Sequence, residues 1–140
     1  MAGTIHHIRL NVCDLDRSAA FYQAVLEGVG WTRQPDRAAG GGDGRRVRFR
    51  GDGVVLLLGE AGAEGAADRT RAGLHHLAFR LDSAAAVDRF YAEVLHGLDG
   101  VYSEDPPVAC PEYGAGYYAT FFYDPDGNKL EVTYTPEEAS

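Results

Sequence analysis

The chain has 140 residues, 45% of them hydrophobic, enough for one compact domain with a real core or for two small half-units that share one. Its 13 basic against 21 acidic residues leave a net charge of −8, which excludes a generally basic face for nucleic acid or an anionic membrane and favours a small molecule or a protein as partner. The opening MAGTIHHIRLNV lacks a basic region followed by an apolar run, and no stretch approaches the roughly 20 apolar residues of a membrane helix, so the expected location is cytoplasmic. Cys13 and Cys110 lack C-x-x-C spacing and are expected as reduced thiols.

In chain order, Ile8, Leu10 and Val12 alternate with polar residues, the period-2 pattern of a strand that buries one face. Phe21, Val25 and Val29 then recur at helical spacing, with a cap between Asp14 and Ser18 and a stop near Gly28. Strands are predicted from Gly30 to Arg33, Val47 to Arg50 and Val54 to Leu58, the last two closed into a hairpin by Gly51-Asp52-Gly53. The run from Ala38 to Gly44 reads as a loop and lacks the Lys-Ser/Thr ending of a phosphate-binding loop. Residues 59–72, rich in Gly, Ala and charge, read as a linker.

The plan then starts again. Leu77, Phe79 and Leu81 alternate; Val87, Phe90, Val94 and Leu98 follow at helical spacing after Asp82 and Ser83, with a stop near Gly97. Strands are predicted from Gly100 to Ser103, Tyr117 to Tyr123 and Lys129 to Tyr134, the last pair joined by the turn residues 124–128. At a constant offset of 69 residues, His6 and His7 match His75 and His76, Phe21-Tyr22 match Phe90-Tyr91, and Gly28 matches Gly97. Such a repeat means duplicated structural units. The expected fold is α+β: two tandem βαβββ modules forming curved mixed sheets around a cleft, within one domain spanning 1–140 (module one 5–58, linker 59–72, module two 74–134).

Strand parity sorts the side chains. If Ile8, Leu10 and Val12 pack inward, His7, Arg9 and Asn11 face the other way; His76 and Arg80 do the same on the repeat-related strand, and Lys129, Glu131 and Thr133 on the last. A polar face of this kind belongs over water rather than in a core. A lone strand His or Glu is more often simply hydrogen-bonded or solvated. Two imidazoles and a carboxylate on matching faces are instead the donor set of a facial metal triad, so His7, His76 and Glu131 are the candidate metal ligands. His6 and His75 point to the opposite side and are expected to bond locally.

The motifs His7-Ile-Arg-Leu-Asn-Val, Asp14-Leu-Asp-Arg-Ser-Ala-Ala-Phe-Tyr, Leu74-His-His76-Leu-Ala-Phe and Asp124-Pro-Asp-Gly-Asn-Lys-Leu-Glu131-Val resemble the vicinal oxygen chelate superfamily across nearly the whole chain. Glyoxalase I, extradiol dioxygenases, fosfomycin-resistance transferases, methylmalonyl-CoA epimerase and bleomycin-binding proteins belong to it. The resemblance implies a divalent metal, with Fe, Mn, Ni and Zn undistinguished, on His7, His76 and Glu131. Aligning the two hairpin turns places Leu57 opposite Glu131, where glyoxalase I carries a further Glu, so the four-ligand isomerase chemistry is not expected. The three-ligand relatives are extradiol dioxygenases and fosfomycin transferases; the Tyr113 to Tyr118 loop is unlike the potassium loop of the latter, and the chain is about half the usual length of the former. The expectation is therefore a metal-dependent enzyme, of dioxygenase or transferase/lyase type, on a small oxygen-chelating substrate. Arg9, Asn11 and Arg80, together with Lys129, are its candidate binding residues, and a cleft-lining tyrosine between Tyr113 and Tyr118, Tyr118 first, is its candidate proton carrier. A drug- or metabolite-sequestering protein without catalysis is the alternative. By analogy, the site forms between the subunits of a homodimer, with His7 from one chain and His76 and Glu131 from the other.

Overall fold

The computed structural model describes residues 1–38, 44–63, 65–98 and 106–136, which fall into two compact units, 1–65 and 66–140. The predicted strand from Gly100 to Ser103 and most of the predicted loop from Ala38 to Gly44 lie outside the described residues.

In the first unit, strand β1 (His7–Val12) leads into helix α1 (Leu15–Gly28), followed by β2 (Thr32–Ala38), β3 (Arg45–Gly51) and β4 (Val54–Glu60). The sheet order is β1-β4-β3-β2, with β1 and β4 parallel and the rest antiparallel. The Asp14 carboxylate accepts from Arg17 N at 3.0 Å, satisfying one of the free amides of the first helical turn. α1 ends at Gly28, where the sequence suggested a stop, and Gly30, at φ +86°, closes the turn that follows by donating to Glu27 O at 3.0 Å. Phe21, Tyr22, Val25 and Leu26 of α1 are buried, as are Leu10 and Val12 on β1, Val47 and Phe49 on β3, and Leu56 and Leu58 on β4. Each such side chain contributes about 1.5–3 kcal/mol on burial. The β3–β4 hairpin turns through Asp52 at φ +46° and Gly53 at φ +77°, the left-handed pair that a two-residue turn requires.

β2 extends well beyond the predicted residues 30–33. Its sequence, TRQPDRA, has no apolar alternation because it is the exposed edge of the sheet, and its register shifts between Gln34 and Arg37, around Pro35, where a missing N–H does least harm. β4 likewise runs two residues into the predicted linker.

The second unit repeats the plan. β5 (His76–Arg80) and α2 (Ala84–Glu93) are followed by a 3-10 turn at Leu95–Gly97, then β6 (Val108–Ala109), β7 (Tyr118–Tyr123) and β8 (Lys129–Tyr134), in the order β5-β8-β7-β6. Ser83 caps α2 by accepting from Ala86 N at 3.0 Å. The helix proper ends at Glu93; Gly97 closes the 3-10 turn instead. Phe79, Phe122, Leu130 and Val132 are buried on the helix side of the sheet, where Phe90 meets Phe122 at 5.7 Å between ring centres. The β7–β8 connection winds about Asp124, 3% exposed, whose carboxylate accepts from Asp126 N, Asn128 N and Asn128 Nδ2 at 2.8–2.9 Å. No helix among the described residues is long and apolar enough to cross a membrane.

Candidate functional site

Paired positions on neighbouring strands share a face. In the second unit β5 and β8 run parallel with His76 opposite Lys129, Ala78 opposite Glu131 and Arg80 opposite Thr133, so all six lie on the face turned away from the apolar Leu77–Leu130 and Phe79–Val132 pairs. This matches the parity expected from the sequence. His76 Nε2 lies 3.2 Å from Glu131 Oε2. The other carboxylate oxygen, Oε1, accepts a hydrogen bond from the Tyr117 hydroxyl. Glu131 is 3% exposed. A buried carboxylate without partners would be costly, and these two contacts are what allow it to sit there. Burial in turn pushes the Tyr117 phenol above its ordinary pKa, and the bond to Glu131 acts in the same direction.

The imidazole of His76 has a second support: its Nδ1 lies 2.8 Å from His75 Nδ1, the rings meeting edge-on at 5.0 Å. The first unit repeats the device, with His6 Nδ1 3.0 Å from His7 Nδ1. In each pair, then, the first His orients the second through Nδ1; in the second unit, Nε2 of His76 points across the sheet. Such a second partner is what fixes ring orientation in a histidine ligand. Desolvation first, and then the electrostatic influence of His76, Lys129 and Arg69, holds His75 below its ordinary pKa.

Arg80 sits on the expected face, but its guanidinium reaches 3.3 Å to Thr135 O beyond the end of β8. Tyr118 pairs with Tyr134 in the register, which puts it on the helix side, and its hydroxyl donates to Asp88 of α2 at 2.6 Å. The tyrosine beside Glu131 is its neighbour Tyr117. Of the tyrosines between 113 and 118 that the sequence offered, Tyr118 is thus tied to a helix and Tyr117 meets the carboxylate.

In the first unit, His7, Arg9 and Asn11 face the same way, opposite Val55, Leu57 and Gly59. The register settles the relation between the strands: Arg9 corresponds to Ala78 in the repeat, and their partners are Leu57 and Glu131. Leu57 therefore stands where the second unit has its carboxylate. Arg46 joins this face from β3, and a Cβ on Gly59 would lie 3.0 Å from Arg9 Nη2 and 3.1 Å from Arg46 Nη1, so the bare glycine makes room for two guanidiniums. The Arg46, Arg48, Arg50 alternation in RRVRFRG was the signal for this basic stripe.

Chemically, His76 and Glu131 offer one nitrogen and one carboxylate donor side by side, two members of the facial set. Among the described residues, no group of three or more His, Cys, Asp or Glu side chains is gathered closely enough to hold a metal ion by itself.

The family model of the Glyoxalase/Bleomycin resistance protein/Dioxygenase superfamily matches residues 4–132. The uncharacterized protein YqjT of Bacillus subtilis (strain 168) is 33% identical over 129 residues, covering 91% of this chain and 96% of that protein. A solved structure of a candidate glyoxalase from Bacillus halodurans is 26% identical with a TM-score of 0.76, covering 95% of this chain and 96% of that one. The fosfomycin resistance protein FosX from Listeria monocytogenes shares the fold at 21% identity, with a TM-score of 0.68, covering 97% of this chain and 96% of that one.

Proposed function

The chain belongs to the Glyoxalase/Bleomycin resistance protein/Dioxygenase superfamily, and within it we propose a metal-dependent enzyme that acts on a small substrate through two of the substrate's oxygens. The observation that carries this reading is Glu131, a buried carboxylate held between His76 and Tyr117 on the polar face of its sheet. His76 and Glu131 would supply two ligands and His7 the third, from the other chain of a homodimer. The donor set suits Fe, Mn, Ni or Zn. A divalent ion so held would supply Lewis acidity to oxygen atoms of the substrate.

The chain's own residues have distinct tasks. Tyr117 holds one oxygen of Glu131 and leaves the other directed at His76. His75 fixes the plane of the His76 imidazole. Arg9 and Asn11 offer donors to an anionic or carbonyl group, as would Arg80 if released from Thr135 O. Leu57 cannot act as ligand or base, which sets the proposed reaction apart from the glyoxalase I isomerisation and nearer to dioxygenase or transferase/lyase chemistry.

The test is calorimetric titration of EDTA-treated protein with manganese, ferrous iron, nickel and zinc. At least one should bind with a micromolar or tighter Kd, and each of H7A, H76A and E131Q should weaken it by about a hundredfold or more. Equal binding by all three variants would overturn the reading. Full-strength drug binding by the metal-free protein would favour sequestration instead.

A further inference from the structure

The second unit contains a polar pocket of about 400 Å³, lined by Asp68, Arg69, Thr70, His75 and Lys129. That is the size of a small-metabolite site. One wall is the segment that leads into β5. Ala67 N donates to Asp126 O in the β7–β8 turn at 2.9 Å, which ties this segment to the tip of the hairpin. Arg69 donates to the Tyr123 hydroxyl at 3.0 Å, and its guanidinium lies 4.9 Å from the centre of the same ring. The next turn is closed by Asp68, whose Oδ1 accepts from Thr70 N at 2.9 Å and from Thr70 Oγ1 at 2.6 Å. The other wall is β8, where Lys129 sits opposite His76 in the register and carries its ammonium 4.7 Å above the ring of Phe121.

Two full positive charges thus line a pocket that holds one carboxylate, and Asp68 spends an oxygen on its own turn. Lys129 has no carboxylate partner among the described residues. Arg69 is oriented by a neutral phenol and has no carboxylate partner among the described residues, which leaves part of its donor fork available. Lys129 also shares its sheet face with Glu131, two residues along the same strand. A molecule that fills the pocket therefore lies beside the proposed ligands.

We propose that this pocket is an oxyanion subsite, in which Arg69 and Lys129 bind a carboxylate or phosphate group of the substrate. The assignment rests on the metal-site reading for its place in a reaction, but the binding itself needs no metal. It narrows the substrate class to anionic compounds that carry both a chelating pair of oxygens and a second, charged oxygen group.

The experiment uses the full-length, metal-free protein, titrated by calorimetry at constant ionic strength with inorganic phosphate and, separately, with acetate. At least one should bind more tightly than chloride, and whichever is stronger tells phosphate from carboxylate. K129Q and R69Q should each weaken the binding about tenfold, the loss expected for one charge-assisted contact. R69K, which keeps the charge, should lose less, whereas R89Q, on the exposed side of α2, should leave it unchanged. Near-ultraviolet circular dichroism of each variant separates lost binding from lost fold. Anion binding that is absent, or equal in K129Q, R69Q and the native protein, would overturn the proposal. Because no metal is present, failure of the metal titration would leave this result untouched, and the reverse also holds.

Discussion

Leu57 and Glu131 hold the same place in two sheets built on one plan, yet one is aliphatic and the other a buried carboxylate held by an imidazole and a phenol. On the opposite sides of the same strands, Leu56 and Leu130 are again equivalent, and there nothing has diverged: both are 1% exposed beneath a helix. The face against the helix must stay apolar and closely packed for either unit to exist. The other face is free to carry arginines in one unit and a carboxylate with histidine in the next.

The largest expected effects test the shared side of the comparison. L56A and L130A should each cost about 3 kcal/mol, measured as the shift in urea unfolding, because each empties a fully packed site. A cost below about 1 kcal/mol for one of them would show that the two cores are not equivalent.

The divergent side is tested by metal affinity. E131Q should lower it about a hundredfold, whereas L57A should leave it within a factor of about three. Y117F should fall between them at about tenfold, since it removes a support and not a ligand. If L57A matched E131Q, the asymmetry between the units would have to be abandoned.

A smaller effect follows from Tyr118, whose bond to Asp88 holds its phenol above the ordinary pKa. The folded chain keeps this proton where the unfolded chain loses it, so stability should be unaffected below about pH 10 and fall as the pH rises past it. Urea midpoints recorded between pH 8 and 11 should decline less steeply in Y118F than in the native protein.

The smallest effects concern two orphan hydroxyls, one per unit. Ser18 Oγ and Thr120 Oγ1 are buried without a hydrogen-bond partner among the described residues. S18A and T120V should be neutral or stabilise by about 1 kcal/mol in the same urea assay, because removing an unsatisfied polar atom removes its desolvation cost. A loss greater than about 1 kcal/mol in either would reveal a partner for that hydroxyl.

Much of this architecture could be read without coordinates. The 69-residue repeat announced two copies of one unit, and apolar alternation announced which side of β1, β5 and β8 packs against a helix. The same parity put His76 and Glu131 on one face before any distance was known. Edge strands were harder: β2 carries no alternation because neither of its faces is deeply buried, and β6 is only two residues long.

The choice between Tyr117 and Tyr118 shows where local reasoning ends. Adjacent side chains on a strand point to opposite faces, and only the pairing of Tyr118 with Tyr134 shows which of the two looks toward α2. Arg69 and Lys129 meet for a similar reason. They are 60 positions apart in the chain, and it is the hydrogen bond from Ala67 to the β7–β8 turn that lays one segment against the other. Periodicity and repetition, which depend on near neighbours in the chain, were thus determined by the sequence itself. Which polar groups converge depends on register and on the path of a connecting segment, and these are decided only when distant parts of the chain pack together.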